Sequence, residues 1–328
     1  MINLLACLLV PLLLLLSCSR WHTCDAANLY VDASGPSDST QTGTEEQPCL
    51  SISVCMKAAK DGDTVNVLPG DYTGPNNEGV CVSPLGRPRD CTATGVTLTG
   101  KGAPEDIKWY MSHSAYAQRA LAVTDNSITT LANMTIAGFY YHPKFSNEVT
   151  DIRAAGGAVV VENSTMHMIH MIFANNSAAT GGCMGISQGH VTITSSLFRD
   201  NQALVSGGAL MVDGGSLLVE DSHFLRNIAT GNPATQSFGN GGAIDVRGIS
   251  KNIYQFVRGS FENNTAAQAG GAMHVASLNF KDLSLEVNGT VFTGNTATGE
   301  GSCVSSSACN VRGGAIFASA PSSTFTNV

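Results

Sequence analysis

From Gly156 onward, the apolar residues of this 328-residue chain fall in pairs two positions apart. One set is Val159/Val161, Met184/Ile186, Leu210/Val212, Ile244/Val246 and Met273/Val275. The other is Met166/Met168, Val191/Ile193, Leu217/Val219, Tyr254/Phe256 and Leu285/Val287. A spacing of two puts like side chains on one face of a strand, so each unit should hold at least two short strands with one buried face. No stretch after residue 60 keeps a helical period long enough for a helical repeat.

Punctuation fixes the unit. Six doubled glycines precede the strands: Gly156-Gly157, Gly181-Gly182, Gly207-Gly208, Gly241-Gly242, Gly270-Gly271 and Gly313-Gly314, with starts 25, 26, 34, 29 and 43 residues apart. The first five are each followed by a Phe with an Asn three places on: Phe173/Asn176, Phe198/Asn201, Phe224/Asn227, Phe261/Asn264 and Phe292/Asn295. Repetition at this period means a solenoid. Coils of roughly 25 residues with two or three strands each predict an all-β, single-stranded parallel β-helix whose coils lie about 4.8 Å apart. In that arrangement the glycines allow close approach, and the Asn amides stack as a ladder between coils.

Glycine-glycine-alanine-aliphatic alternating with Phe-x-x-Asn resembles the repeats of chlamydial-type polymorphic outer membrane proteins. More broadly it resembles right-handed β-helix proteins of the pectin-lyase-like class. Leu29-Tyr30-Val31-Asp32, the run Ile52 to Ala59, Asp61-Gly62-Asp63-Thr64-Val65 and Pro69-Gly70-Asp71-Tyr72 are similar to the lead-in segment of such proteins. The resemblance covers nearly all of residues 28–328. It implies a right-handed coil and, from the chlamydial-type repeats, adhesion. Folds of this kind host lyases, hydrolases, adhesins and inert stalks, so function must be read from a site.

Residues 1–19 have the apolar run and small-residue end of a secretory signal, with a cut after Ala26 as the alternative. The absent basic residues depart from that pattern, and Leu15-Leu16-Ser17-Cys18 leaves a lipid tether open. Residues 28–75 are expected to form an N-terminal cap. There Ile52, Cys55/Met56 and Ala59 share the face of a short helix that covers the first coil. Residues 76–328 are expected to form the β-helix. Its irregular early strands are Val96-Thr97-Leu98-Thr99, Leu121-Ala122-Val123 and Met134-Thr135-Ile136, and its long loops are Thr230 to Asn240 and Gly299 to Arg312. The chain stops in repeat register just after Phe325, which predicts an incomplete solenoid. No segment after the leader is long and apolar enough to span a bilayer.

Composition agrees with export. Cutting after Ser19 leaves eight of the ten cysteines, and Cys81–Cys91 and Cys303–Cys309 each bracket a short polar loop as the best local pairs. Cys183 stands where other repeats have Ala and reads as a small buried residue. Sequons at Asn133, Asn163, Asn175, Asn263 and Asn288 fit a secreted glycoprotein. A net charge of −8 without a Lys/Arg cluster excludes a phosphate-backbone partner. Neither CxxC nor a Cys/His cluster appears, and His167, His170, His190 and His223 are too scattered for a metal set.

Candidate chemistry lies on the outward face of the strand after each GG. If the GG steps align, Asp245 neighbours His274 and Asp213 neighbours Arg247. The resemblance implies that a calcium-dependent lyase would work on such a face, with carboxylates holding the cation and a base taking the sugar C5 proton. Solvated cross-strand charge pairs are the other reading. Against an enzyme stand three absences: an Asp-Asp pair or Gly-His-Gly, an Arg-x-Pro-x-x-Arg, which Arg87-Pro88-Arg89 does not match, and the Lys and Arg that an anionic polymer would want where this face has Met, Val and Phe. Two classes therefore remain. One is a secreted or cell-surface rod without catalysis or cofactor, binding a carbohydrate or a surface protein; the other is a lyase or hydrolase acting on acidic polysaccharide. Oligomeric state is left open.

Overall fold

A computed structural model describes residues 26–35, 42–82, 94–111, 118–141, 155–231, 239–248, 252–277, 283–299, 313–319, 322–326 and 328. The leader and most of both long loops lie outside them. Among the described residues there are four sheets, of ten, eight, eight and six strands, and every named strand pair is parallel. The fold is a parallel β-helix.

One coil shows the plan. After Gly156-Gly157 come Val159–Glu162 in the GG sheet, Thr165–Ile169 in the ten-stranded long sheet, Ile172–Ala174 in the Phe sheet and Ser177–Thr180 in the Asn sheet. Each regular coil thus has four strands where the alternation pattern predicted two or three. The two extra strands span only three and four residues here, too short for a period of two to register. Between them stands the ladder Asn, Asn176 in this coil, three places after the Phe.

Both apolar sets point inward and are buried throughout. The GG-sheet column runs Leu121, Val159, Met184, Leu210, Ile244, Met273, Ile316 in register. The Phe column stacks as expected. From Phe173 through Phe198, Phe224 and Phe261 to Phe292, neighbouring ring centroids lie 4.7–4.9 Å apart with planes within 17°. Offset stacking of this kind adds about 0.5–1.5 kcal/mol per pair beyond burial. The column extends below the regular repeats through Ile136 and Trp109 to Tyr72.

Glycine occupies the GG steps for two separate reasons. The first glycine of every step has positive φ, 54–75°, in the left-handed region where L side chains are rare. The second would drive a Cβ into the carbonyl oxygen of the second glycine one coil on, as Gly157 into Gly182, Gly182 into Gly208, Gly208 into Gly242, Gly242 into Gly271 and Gly271 into Gly314. One coil earlier Arg119 takes the second-glycine place, two residues before Leu121. Its guanidinium donates to the carbonyls of Ala155 (2.8 and 3.1 Å) and Gly156 (2.9 Å) and lies 3.6 Å over the Tyr141 ring.

At the N-terminus, helix α1 (Ile52–Ala58) starts at Ser51, whose hydroxyl accepts from the Val54 N–H. Ile52, Cys55, Met56 and Ala59 are buried, the face expected from the sequence. The helix packs on strands Asn28–Val31, Thr64–Val67 and Val80–Val82. A Cys49–Cys55 disulfide ties it down. No described helix is long and apolar enough to cross a membrane.

Candidate functional site

Register places the candidate residues as the GG alignment predicted. Asp245 pairs with His274 and Asp213 with Arg247 on adjacent strands of the GG sheet. Their environment is not the solvated row that the sequence allowed. Asp245 is 0% exposed and His274 9%, and Val160 and Met211 in the same column are also buried. Residues just before each GG step roof this face: a Cβ on Gly185 would strike the Ala155 methyl, and the Ser206 hydroxyl approaches the Met211 sulfur at 3.7 Å.

Within that roofed space the contacts form a closed network. Asp245 Oδ1 takes the His274 Nδ1–H at 2.6 Å, and Oδ2 accepts from Arg247 Nε (3.2 Å) and Nη2 (3.0 Å). Arg247 Nη2 also donates to Ser206 Oγ at 3.1 Å, and the His274 ring stacks on Phe317 at 5.2 Å. Burial pushes the Asp245 carboxyl up, but the charges of His274 and Arg247 and hydrogen bonds from His274 and Ser206 outweigh it, so the group sits below its ordinary range. Asp213 moves the other way: burial raises it and Asp245 adds to the rise, while Arg247 pulls it back.

Calcium does not fit here. It takes six to eight oxygens, whereas both Asp245 oxygens are turned to His274 and Arg247, and among the described residues no group of three or more His, Cys, Asp or Glu could hold a metal. The cluster is a brace across three coils. Asp245→Asn is expected to cost about 2 kcal/mol, since it keeps the shape but removes the buried counter-charge. The pH dependence has a fixed sign: a carboxyl depressed by folding stabilises above its unfolded value of about 3.9 and loses that contribution as pH falls through the lower folded value. Thermal melts across the acid range should show a shallower acid limb in the variant. An unchanged neutral melt would remove the brace.

Other charged groups line the corners. Arg226 grips Asp200 at 2.7 and 2.9 Å, and Arg258 grips Asp221 at 2.9 and 3.1 Å while also meeting Glu220, each bridging one coil to the next. Arg226 and Arg258 stand in water, so these ladders are screened. Several corner residues share positive φ in columns that the sequence did not reveal. Asn133, His170, Ser195, Asp221, Arg258 and Gly289 form one such column, and Gly138, Asn175, Asp200, Arg226, Asn263 and Gly294 another.

Of the sequon asparagines, Asn133, Asn175 and Asn263 fall in these columns, and Asn163 lies at the corner between the GG and long sheets. Asn133, Asn163, Asn175 and Asn263 all have φ between 45° and 54°, and Asn163, Asn175 and Asn263 are exposed. Asn288 ends strand Leu283–Asn288, half-buried. Among the cysteines, Cys81 is disulfide-bonded, and Cys91, Cys303 and Cys309 lie outside the described residues. Cys183 is a buried free thiol, pushed well up by burial, in the column of Ala158 and Ala209. The sequence motifs point neither to the Cys49–Cys55 bridge nor to Arg119: Cys55 reads as a residue of the helix face, and Arg119 has no partner at a readable spacing.

Fold and site together define a parallel β-solenoid whose Asp245–His274 pair is buried in its wall, with Arg247 partly exposed beside it. Comparison with protein-family profiles, with curated proteins and with solved structures finds no match to the chain.

Proposed function

We propose that the protein is a secreted or cell-surface rod, without catalysis, that binds a carbohydrate or a surface protein through its outward strand faces. One observation carries this reading: the long sheet presents ten parallel strands, about 43 Å of continuous face at about 4.8 Å per step. Its central outward column reads Thr64, Thr97, Thr130, His167, Thr192, Leu218, Gln255, Glu286, Thr324. Only Glu220 and Glu286 carry a formal charge on this face among the described residues. Hydroxyls and methyls at a fixed spacing suit a neutral, extended partner such as a glycan chain, and each added coil lengthens the contact without disturbing the core.

The closed state of Asp245 also supports the rod over a lyase. Finer kinship, with the pectin-lyase-like class and the chlamydial-type repeats, rests on the GG and Phe-x-x-Asn motifs, and export rests on residues 1–19. The test uses the secreted chain against arrayed glycans and intact cells. Saturable binding is expected, and Thr130→Glu with Thr192→Glu, two half-exposed positions on the face, should weaken it at least tenfold, about 1.4 kcal/mol. Acidic polysaccharide incubated with the protein and calcium should keep its chain length. Shortening of that polymer would sink the reading.

A further inference from the structure

The corner between the GG and long sheets holds a cleft of about 250 Å³, lined in part by Asn126, Ile128, Asn163, Thr165, Gln188 and His190. Sites for drug-sized ligands run from roughly 300 to 1,000 Å³, so this one takes a single sugar unit. It has a polar rim and an apolar floor. Asn126 (φ 64°), Asn163 (φ 45°) and Gln188 (φ 52°) stack as three left-handed amide residues, with Asn163 in the middle and the Asn126 N–H bonded to the Asn163 carbonyl. Below them Ile128 is 57% exposed, among the most exposed large apolar side chains of the described chain. Ser127 and Ser164 turn inward: Ser127 Oγ donates to the Thr124 carbonyl at 2.6 Å and Ser164 Oγ to that of Glu162 at 2.8 Å.

Asn163 also heads the sequon Asn163-Ser164-Thr165. We infer that this cleft seats the first N-acetylhexosamine of a glycan carried on Asn163 itself, its acetamide methyl and apolar ring face covering Ile128 and its polar groups meeting Asn126, Thr165 and His190. The inference rests on the reading of the chain as a secreted glycoprotein. Attachment forms the Asn163 Nδ2–C1 bond at the anomeric carbon of a lipid-linked oligosaccharyl pyrophosphate. The C1–O bond breaks, the lipid pyrophosphate leaves, and a base of the transferase takes the amide proton. Tethering removes most of the association cost that a free sugar would bear.

The experiment is a double-variant cycle on the full chain secreted from a glycosylating eukaryotic host. Glycopeptide mass spectrometry first reads occupancy at Asn163. Thermal melts then compare the wild type, Ile128→Gln, Asn163→Gln and the double variant; Gln already holds this conformation at position 188, so Asn163→Gln keeps the corner, and Ile128→Gln makes no new sequon with Asn126. A seated sugar raises the midpoint by about 2 °C. Ile128→Gln abolishes that rise, and has no effect in the Asn163→Gln background. Trimming the glycan to its first sugar leaves the rise intact. Occupancy at Asn163 with equal Ile128→Gln effects in both backgrounds overturns the seat and leaves the glycoprotein reading standing. No sugar at any sequon overturns both.

Discussion

Gly208→Ala is expected to destabilise the central coils by about 4 kcal/mol or more, the exceptional range for a single methyl group. The added Cβ would overlap the Gly242 carbonyl oxygen and the Ile228 backbone, neither of which can swing aside as a side chain would. Relief requires the coils to part, and parting breaks the ladder bonds on either side, including the Gly208 N–H to the Gly241 carbonyl. A thermal midpoint about 10 °C or more below wild type should follow. Gly289→Asn is the control for glycine conformation without crowding. Gly289 has φ 61°, like the first glycine of each step and unlike Gly208, and its nearest neighbour to an added Cβ is the Arg258 side chain at 3.6 Å. Since Asn133, His170, Ser195, Asp221 and Arg258 hold the same conformation in that column, the control should melt within a degree or two of wild type. An equal, small effect of both substitutions would show that close approach is not what keeps glycine at the second place of each step.

That contrast marks how much of the structure the sequence displays. Gly157, Gly182, Gly208, Gly242 and Gly271 are legible because one steric demand, backbone against backbone, admits one residue type. Phe173 to Phe292 and Asn176 to Asn295 are legible for a like reason, since each column repeats one chemistry. The corner columns were not legible, because a left-handed φ is tolerated by His170, Ser195, Asp221 and Arg258 alike when no neighbour crowds the Cβ. The candidate cluster was half legible. Strand register alone paired Asp245 with His274, whereas the burial of Asp245 depends on the roof of pre-GG residues such as Ser206, which meets Arg247 and Asp245 from the coil before.

Asn227→Ala is expected to cost about 4 kcal/mol, against about half that for Asn295→Ala at the half-buried end of the ladder. Asn227 uses every hydrogen-bonding site its amide has. Its oxygen accepts from the Asn201 backbone (3.1 Å) and side chain (2.9 Å), and its nitrogen donates to the Phe198 carbonyl (3.0 Å) and Asn264 Oδ1 (3.0 Å). Truncation leaves the Asn201 N–H and one Asn201 amide proton without partners in a dry interior, and takes from the Phe198 carbonyl its side-chain donor. Asn227→Asp separates lost hydrogen bonds from lost volume. The acid keeps the shape, but its ionised form would face the Phe198 and Asn264 oxygens with no proton to offer, so its folded pKa should rise above the unfolded value of about 3.9. A folded state that holds its proton longer loses stability, relative to wild type, as pH rises through the unfolded value toward the folded one. The gap between this variant and wild type should therefore be small near pH 3 and wide at neutrality. Because the wild type itself loses the contribution of Asp245 in acid, the difference between the two melting curves, and not either curve alone, carries the answer. A gap that stays constant across that range would mean the ladder is filled volume and not a chain of bonds.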